Sequence, residues 1–191
     1  VSGKISALSG NKLQPLEKYG VKIISMAGLC DTEDEPIMWR GPIISKIIQQ
    51  LLKESLWGEL DALLIDFPSG TNDATLTVLN TFAVDGVIMI TIPPAISTMA
   101  TRKMLNAMDV LKIKVLGIVE NMRGEIFGEG GTHKLAEFSR TNALGSIPMR
   151  KSIVSLCDQG MPAVFQMEEL SLLFARMGRF IMEKIAVEEN M

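Results

Sequence analysis

Cysteine and histidine are scarce in this chain. Cys30, Cys157 and His133 are the only members of their types among 191 residues. Two thiols so far apart make no disulfide framework; reduced cysteines are expected, each a small buried hydrophobe. A single histidine cannot build a metal site, so a surface position or a helix start is expected for it. Positive charge is not in excess either. The net charge of −3 and the pI near 5.3 give no electrostatic reason for a nucleic-acid or anionic-membrane partner. No apolar run approaches the ~18–20 residues that span a bilayer. No basic stretch leads into an apolar one near Val1, so no signal peptide is expected and a cytoplasmic location is. No glycine-rich loop carrying lysine and Ser/Thr occurs. The fragment Val1–Lys4 has neither the preceding strand nor the glycine spacing of one. There is no internal repeat and no low-complexity stretch.

What is present is ordinary globular material, 47% hydrophobic and 21% charged. The length suits one domain over 1–191, with 1–20 an irregular lead-in containing Gly3, Gly10 and Pro15. Thirteen methionines against one tyrosine read as flexible core filling. Strand-length apolar runs alternate with helical patterns. Strands are expected at Val21–Ala27, Leu60–Asp66, Gly86–Ile92, Lys114–Glu120 and Leu144–Ile147. Helices are expected at Pro42–Glu54, Ala74–Thr81, Thr98–Leu111, His133–Thr141 and Glu168–Val187, with Pro42 suited to a first helical turn. Near-continuous apolar strands separated by helices predict an α/β fold, a doubly wound, mainly parallel sheet flanked by helices. Ligands of such folds sit at the carboxyl ends of the strands.

The segment Leu63–Asp73 (LLIDFPSGTND) carries the strongest local signal. An apolar run ends in Asp66, where a carboxylate can hold Mg²⁺ through water. Ser69 and Gly70 are small enough for backbone N–H groups to approach a phosphate. Asp73 could orient an attacking water or touch a neighbouring subunit. Equally, Asp66 could cap the next helix, with Phe67–Gly70 a plain turn. Both readings stay open on this segment alone.

Several short motifs agree in order and spacing: Trp39–Pro42 (WRGP), Trp57–Asp61 (WGELD), Asp66–Asp73 (DFPSGTND), Gly117–Met122 (GIVENM), Ile126–Gly131 (IFGEGG) and Gly145–Pro148 (GSIP). Together they resemble the Mrp-type, MinD/ParA-like P-loop ATPases, a family of iron–sulfur cluster carriers, from about Gly20 to the C-terminus. The resemblance implies a dimeric ATP-binding protein that hands a cluster to apo iron–sulfur proteins. It also implies site roles. Asp66 would be the Walker B acid, holding Mg²⁺ through water, and Asp73 would join it in catalysis. Pro68, Gly70 and Thr71 would lie beside the γ-phosphate, Asn121 would read the adenine edge, and Pro148 would pack on the base.

The chain departs from that family in three places. The phosphate-binding strand–loop–helix is absent. A unit of ~30 residues is expected to lie upstream of Val1, or the sheet to be completed otherwise. Little ATP hydrolysis is expected of this chain alone. The family's Cys-x-x-Cys falls between Met122 and Glu125, where Arg123 and Gly124 stand here, so no cluster ligands are assigned. Arg150 occupies a position often acidic, and Pro94 one often glutamine. A non-catalytic binding module and a MinD/ParA-like positioning ATPase are the alternatives. The acidic loop Asp31–Glu35 reads as a solvated turn, and the acidic end of the last helix favours core packing over a membrane tail.

Overall fold

The computed structural model describes residues 6–7, 12–29 and 40–189. The Val1–Lys4 fragment, Cys30, the Asp31–Glu35 loop and Trp39 lie outside them. The chain divides into two compact units, residues 1–82 and 83–191.

The first unit begins with short antiparallel pairs. Strand β1 (Ser6–Ala7) pairs with β2 (Leu13–Gln14), and β3 (Leu16–Lys18) with β4 (Val21–Ile23). Tyr19 and Gly20 both hold positive φ, at 56° and 73°, the geometry a two-residue hairpin turn needs. That turn corrects the expected buried strand Val21–Ala27. Only three residues are extended, they pair locally, Val21 is 57% exposed, and Met26–Leu29 coil into a 3₁₀ turn.

Helix α1 (Gly41–Lys53) carries Pro42 in its first turn, as its pattern predicts, and α2 (Asp73–Thr81) packs beside it. Leu13 and Leu51 are buried together, with Ile24, Met26 and Ile47 against them. Trp57 is fixed from two sides: its indole N–H donates to Leu52 O at 3.1 Å, and its carbonyl accepts from Lys22 Nζ. The expected strand Leu60–Asp66 does not form. The segment is irregular, and Leu64 is 84% exposed. A strand exists only where a neighbour completes its ladder, and none of the described strands pairs with this segment.

The second unit is a parallel sheet in the order β5 (Val87–Thr91), β6 (Val115–Arg123), β7 (Ala143–Pro148). Its crossovers are α3 (Ala95–Leu111) and α4 (Gly131–Ser139), followed by α5 (Lys151–Asp158) and α6 (Glu168–Glu189). This is the α/β, parallel, helix-flanked architecture expected. Strand β6 is central and buried from Leu116 to Glu120. Successive strand residues face opposite ways. Val119 joins Leu144 of β7 and Met177 of α6 in one core layer, while Glu120 faces the start of α4. Helix α6 therefore packs into the core, as its acidic end suggested. Cys157, expected to be buried, is exposed, because α5 buries none of its residues.

Candidate functional site

The turn between the irregular segment and α2 is built by Asn72. Its Oδ1 accepts from Thr75 N at 3.1 Å, capping α2, and its Nδ2 donates to Ser69 O at 3.2 Å. Thr75 is fully buried and its hydroxyl donates to Gly70 O at 3.4 Å. One side chain thus caps the helix and pins the turn, so the cap is Asn72 and not the Asp66 that the sequence also allowed. Gly70 holds φ +80° with open space around its Cα, so conformation rather than crowding selects glycine. Asp66, Pro68, Gly70, Thr71 and Asp73 are all exposed along this turn. Two carboxylates and an unobstructed loop backbone therefore face solvent together.

Asp73 also contacts the start of α1. A methyl group on Gly41 would collide with its carboxylate. The two helices are tied again by Ser45 Oγ and Thr77 Oγ1, 2.6 Å apart. Gly41 belongs to the Trp39–Pro42 motif, whose purpose sequence reading left open; the collision gives a physical reason for its glycine.

In the second unit, Asn121 and Pro148 sit at the carboxyl ends of the adjacent strands β6 and β7. Arg123 pairs with Pro148, and Met149 N donates to Arg123 O at 2.8 Å. Between the pairs Glu120–Ser146 and Arg123–Pro148, two residues of β6 (Asn121 and Met122) oppose one of β7 (Ile147), a bulge in which Met122 takes φ +57°. Asn121 Oδ1 accepts from Met122 N at 2.9 Å. Pro148 is buried.

Glu120 went unnoticed in the sequence, although a glutamate inside an apolar strand is itself a signal. It is 1% exposed and accepts four hydrogen bonds: from Gly130 N, Thr132 N and Thr132 Oγ1, each at 3.3 Å, and from Ser146 Oγ at 3.2 Å. The loop between β6 and α4 closes on itself, Gly124 and Gly128 exchanging backbone bonds of 3.1 and 2.7 Å. Arg123 and Gly124, where the resemblance led a Cys-x-x-Cys to be expected, lie at the start of this closed turn. No group of three or more metal-ligating side chains occurs among the described residues.

Beside the loop, a cleft of about 420 Å³ opens between the first turns of α3 and α4, bordered by Arg102, Glu129 and Lys134. Gly131 makes it possible: a Cβ there would sit 2.8 Å from Thr98 Cγ2 and 3.1 Å from Pro93 O. Arg102 stacks on Phe138, 4.2 Å from its centroid. Arg150 pairs with Glu169 at 2.8 Å. His133 is exposed in the first turn of α4.

The expected site residues thus form two groups, Asp66–Asp73 in one unit and Asn121 with Pro148 in the other. A family model described as ParA, the NUBPL iron-transfer P-loop NTPases, matches residues 1–186. The iron-sulfur cluster carrier protein of Pyrococcus furiosus is 38% identical over 154 residues, covering 75% of this chain and 52% of that protein. The Escherichia coli protein of the same name is 34% identical over 189 residues, covering 94% and 50%. The chain spans about half the length of these curated relatives. Among solved structures, a nucleotide-binding protein from Archaeoglobus fulgidus in complex with ADP aligns with TM-score 0.65 and 30% identity, over 82% of this chain and 64% of that one. The cell division ATPase MinD of Pyrococcus furiosus aligns with TM-score 0.53 at 21% identity, over 77% and 58%, a likeness of fold.

Proposed function

The chain belongs to the ParA family of NUBPL-type iron-transfer P-loop NTPases, and from that membership we propose that it serves as the adenine-nucleotide-binding part of an iron–sulfur cluster carrier. The observation that carries this reading is the pair Asn121 and Pro148 at one sheet edge. There the Asn121 amide would hydrogen-bond a nucleobase and Pro148 would pack on it. The Archaeoglobus fulgidus relative of similar fold was solved with ADP. In the first unit, Gly70 and Thr71 would meet a phosphate through the backbone N–H groups of the exposed turn, beside Pro68. Asp66 would hold Mg²⁺ through water, and Asp73, in the first turn of α2, would orient a water near it. Bound Mg²⁺ would supply charge neutralisation at the phosphates. No lysine-bearing phosphate loop occurs in these 191 residues, so hydrolysis is assigned to the family and binding to this chain. A second copy and apo iron–sulfur proteins are the proposed partners. No helix among the described residues is long and apolar enough to cross a membrane.

The cluster is cargo, and the residues at the family's cluster position do not fit it. Arg123 and Gly124 offer no thiolate, and the turn is closed by the Gly124–Gly128 pair. That observation favours a second reading, a family member that binds nucleotide and partner protein without ligating a cluster. Anaerobic reconstitution with iron and sulfide separates the two. Visible absorbance surviving desalting supports the carrier; a colourless protein that still binds ADP overturns cluster carriage and leaves the binding module. Failure to bind ADP overturns both.

A further inference from the structure

Glu120 is a buried carboxylate with no ion pair to a cation among the described residues, and its four donors come from the end of the loop, the first turn of α4 and β7. One oxygen, Oε1, accepts from Gly130 N at the end of the loop and from Ser146 Oγ on β7. The other, Oε2, accepts from Thr132 N and Oγ1 in the first turn of α4. Desolvating a carboxylate is unfavourable unless its lone pairs are filled, and here the surrounding donors fill them. The consequence is geometric. The residue after Glu120 is Asn121, which opens the bulge; Ser146 stands two residues before Pro148; Gly130 lies two residues past the closed Gly124–Gly128 turn. The carboxylate therefore holds the ends of β6 and β7 in register and ties both to the 124–130 loop.

We propose that Glu120 is the positioning residue of the base-binding edge, coupling a nucleobase seated at Asn121 and Pro148 to the order of the 124–130 loop. This rests on the nucleotide reading given above. A base seated at the edge restrains Asn121 and Pro148. Because Glu120 joins their strands to Gly130 and Thr132, the same restraint damps opening of the loop. Glu120 itself touches no ligand.

The test uses the full chain, ADP as the probe, and amide hydrogen exchange at residues 124–132 alongside a binding isotherm. In the wild type, ADP is expected to slow exchange at Gly130 and Thr132 by about tenfold, an ordinary coupling strength. In Glu120→Gln the ADP-dependent slowing is expected to disappear and ADP binding to weaken with it, by up to about tenfold, because both effects draw on one coupling. Thr132→Val and Ser146→Ala each remove one arm of the network and should reduce the slowing, giving a readout should Glu120→Gln fail to fold. A purely structural carboxylate predicts faster loop exchange in Glu120→Gln but no protection of the wild-type loop by ADP; that result overturns the coupling. Absence of ADP binding by the wild type appears in the isotherm and overturns the nucleotide reading together with the coupling. ADP binding without loop protection overturns the coupling alone.

Discussion

The carboxylate of Asp73 lies against the α-carbon of Gly41, so that a side chain there would have to displace it. Asp73 opens α2 at the end of the Asp66–Asp73 turn, and Gly41 opens α1 within the Trp39–Pro42 motif. The carboxylate thus stands at the N-terminal end of α1, where the helix dipole favours negative charge. Two motifs that are separate in sequence are one contact in the fold.

Gly41→Ala is expected to push the Asp73 carboxylate off its rotamer, destabilising by ~0.5–1.5 kcal/mol. In an Asp73→Ala background the same change should be neutral or stabilising. A double-mutant cycle in urea reads this directly. Equal effects of Gly41→Ala in both backgrounds would show that the contact carries no energy.

Removing the Asn72 side chain takes away a helix cap and the anchor of the turn at once. Asn72→Ala is expected to cost ~1 kcal/mol, with Asn72→Asp retaining most of the cap. Faster amide exchange at Thr75 would accompany the loss, since Thr75 N is the bond removed. Unchanged exchange at Thr75 would contradict the assignment.

Glu120→Ala leaves two backbone N–H groups and two hydroxyls without their acceptor. Unsatisfied buried donors cost ~1–3 kcal/mol each before relaxation. A net loss of ~2–4 kcal/mol is expected, because water entering the gap satisfies some of them. Chemical denaturation measures it, and a loss below ~0.5 kcal/mol would place the network outside the folded core.

Asn121→Ala should weaken ADP binding about tenfold, ~1.4 kcal/mol, with thermal stability nearly unchanged. Titration calorimetry on the full chain checks this. Equal affinity in variant and wild type would remove Asn121 from the base site.

Cys157 should react with a thiol reagent in the native protein at a rate close to that of a free thiol, because it is exposed on α5. Cys157→Ser should abolish that phase. A thiol reacting only in denaturant would restore the burial expected from sequence.

Legibility followed the range of the forces. Helices α1, α2, α3, α4 and α6 were readable to within a few residues, because their apolar spacing and punctuating residues act locally. Strands β5, β6 and β7 were readable from continuous apolar runs bounded by Pro93, Gly86 and Pro148. The Leu60–Asp66 run has the same composition and forms no strand. Of the site, the turn and its exposed carboxylates were visible as a motif. Asn72 as its anchor was not, since a cap is recognised only once the helix start is fixed. Neither was Glu120, whose partners lie 10, 12 and 26 residues away.

The sequence by itself determined the family, the helical segments and the apolar runs, because composition, periodicity and short motifs are properties of neighbouring residues. Only the tertiary structure decided which apolar runs found a ladder partner, that Asp73 lies against Gly41, and that Glu120 binds three segments together. Each of those depends on groups far apart in the chain meeting within a few ångströms, and no local pattern specifies such a meeting.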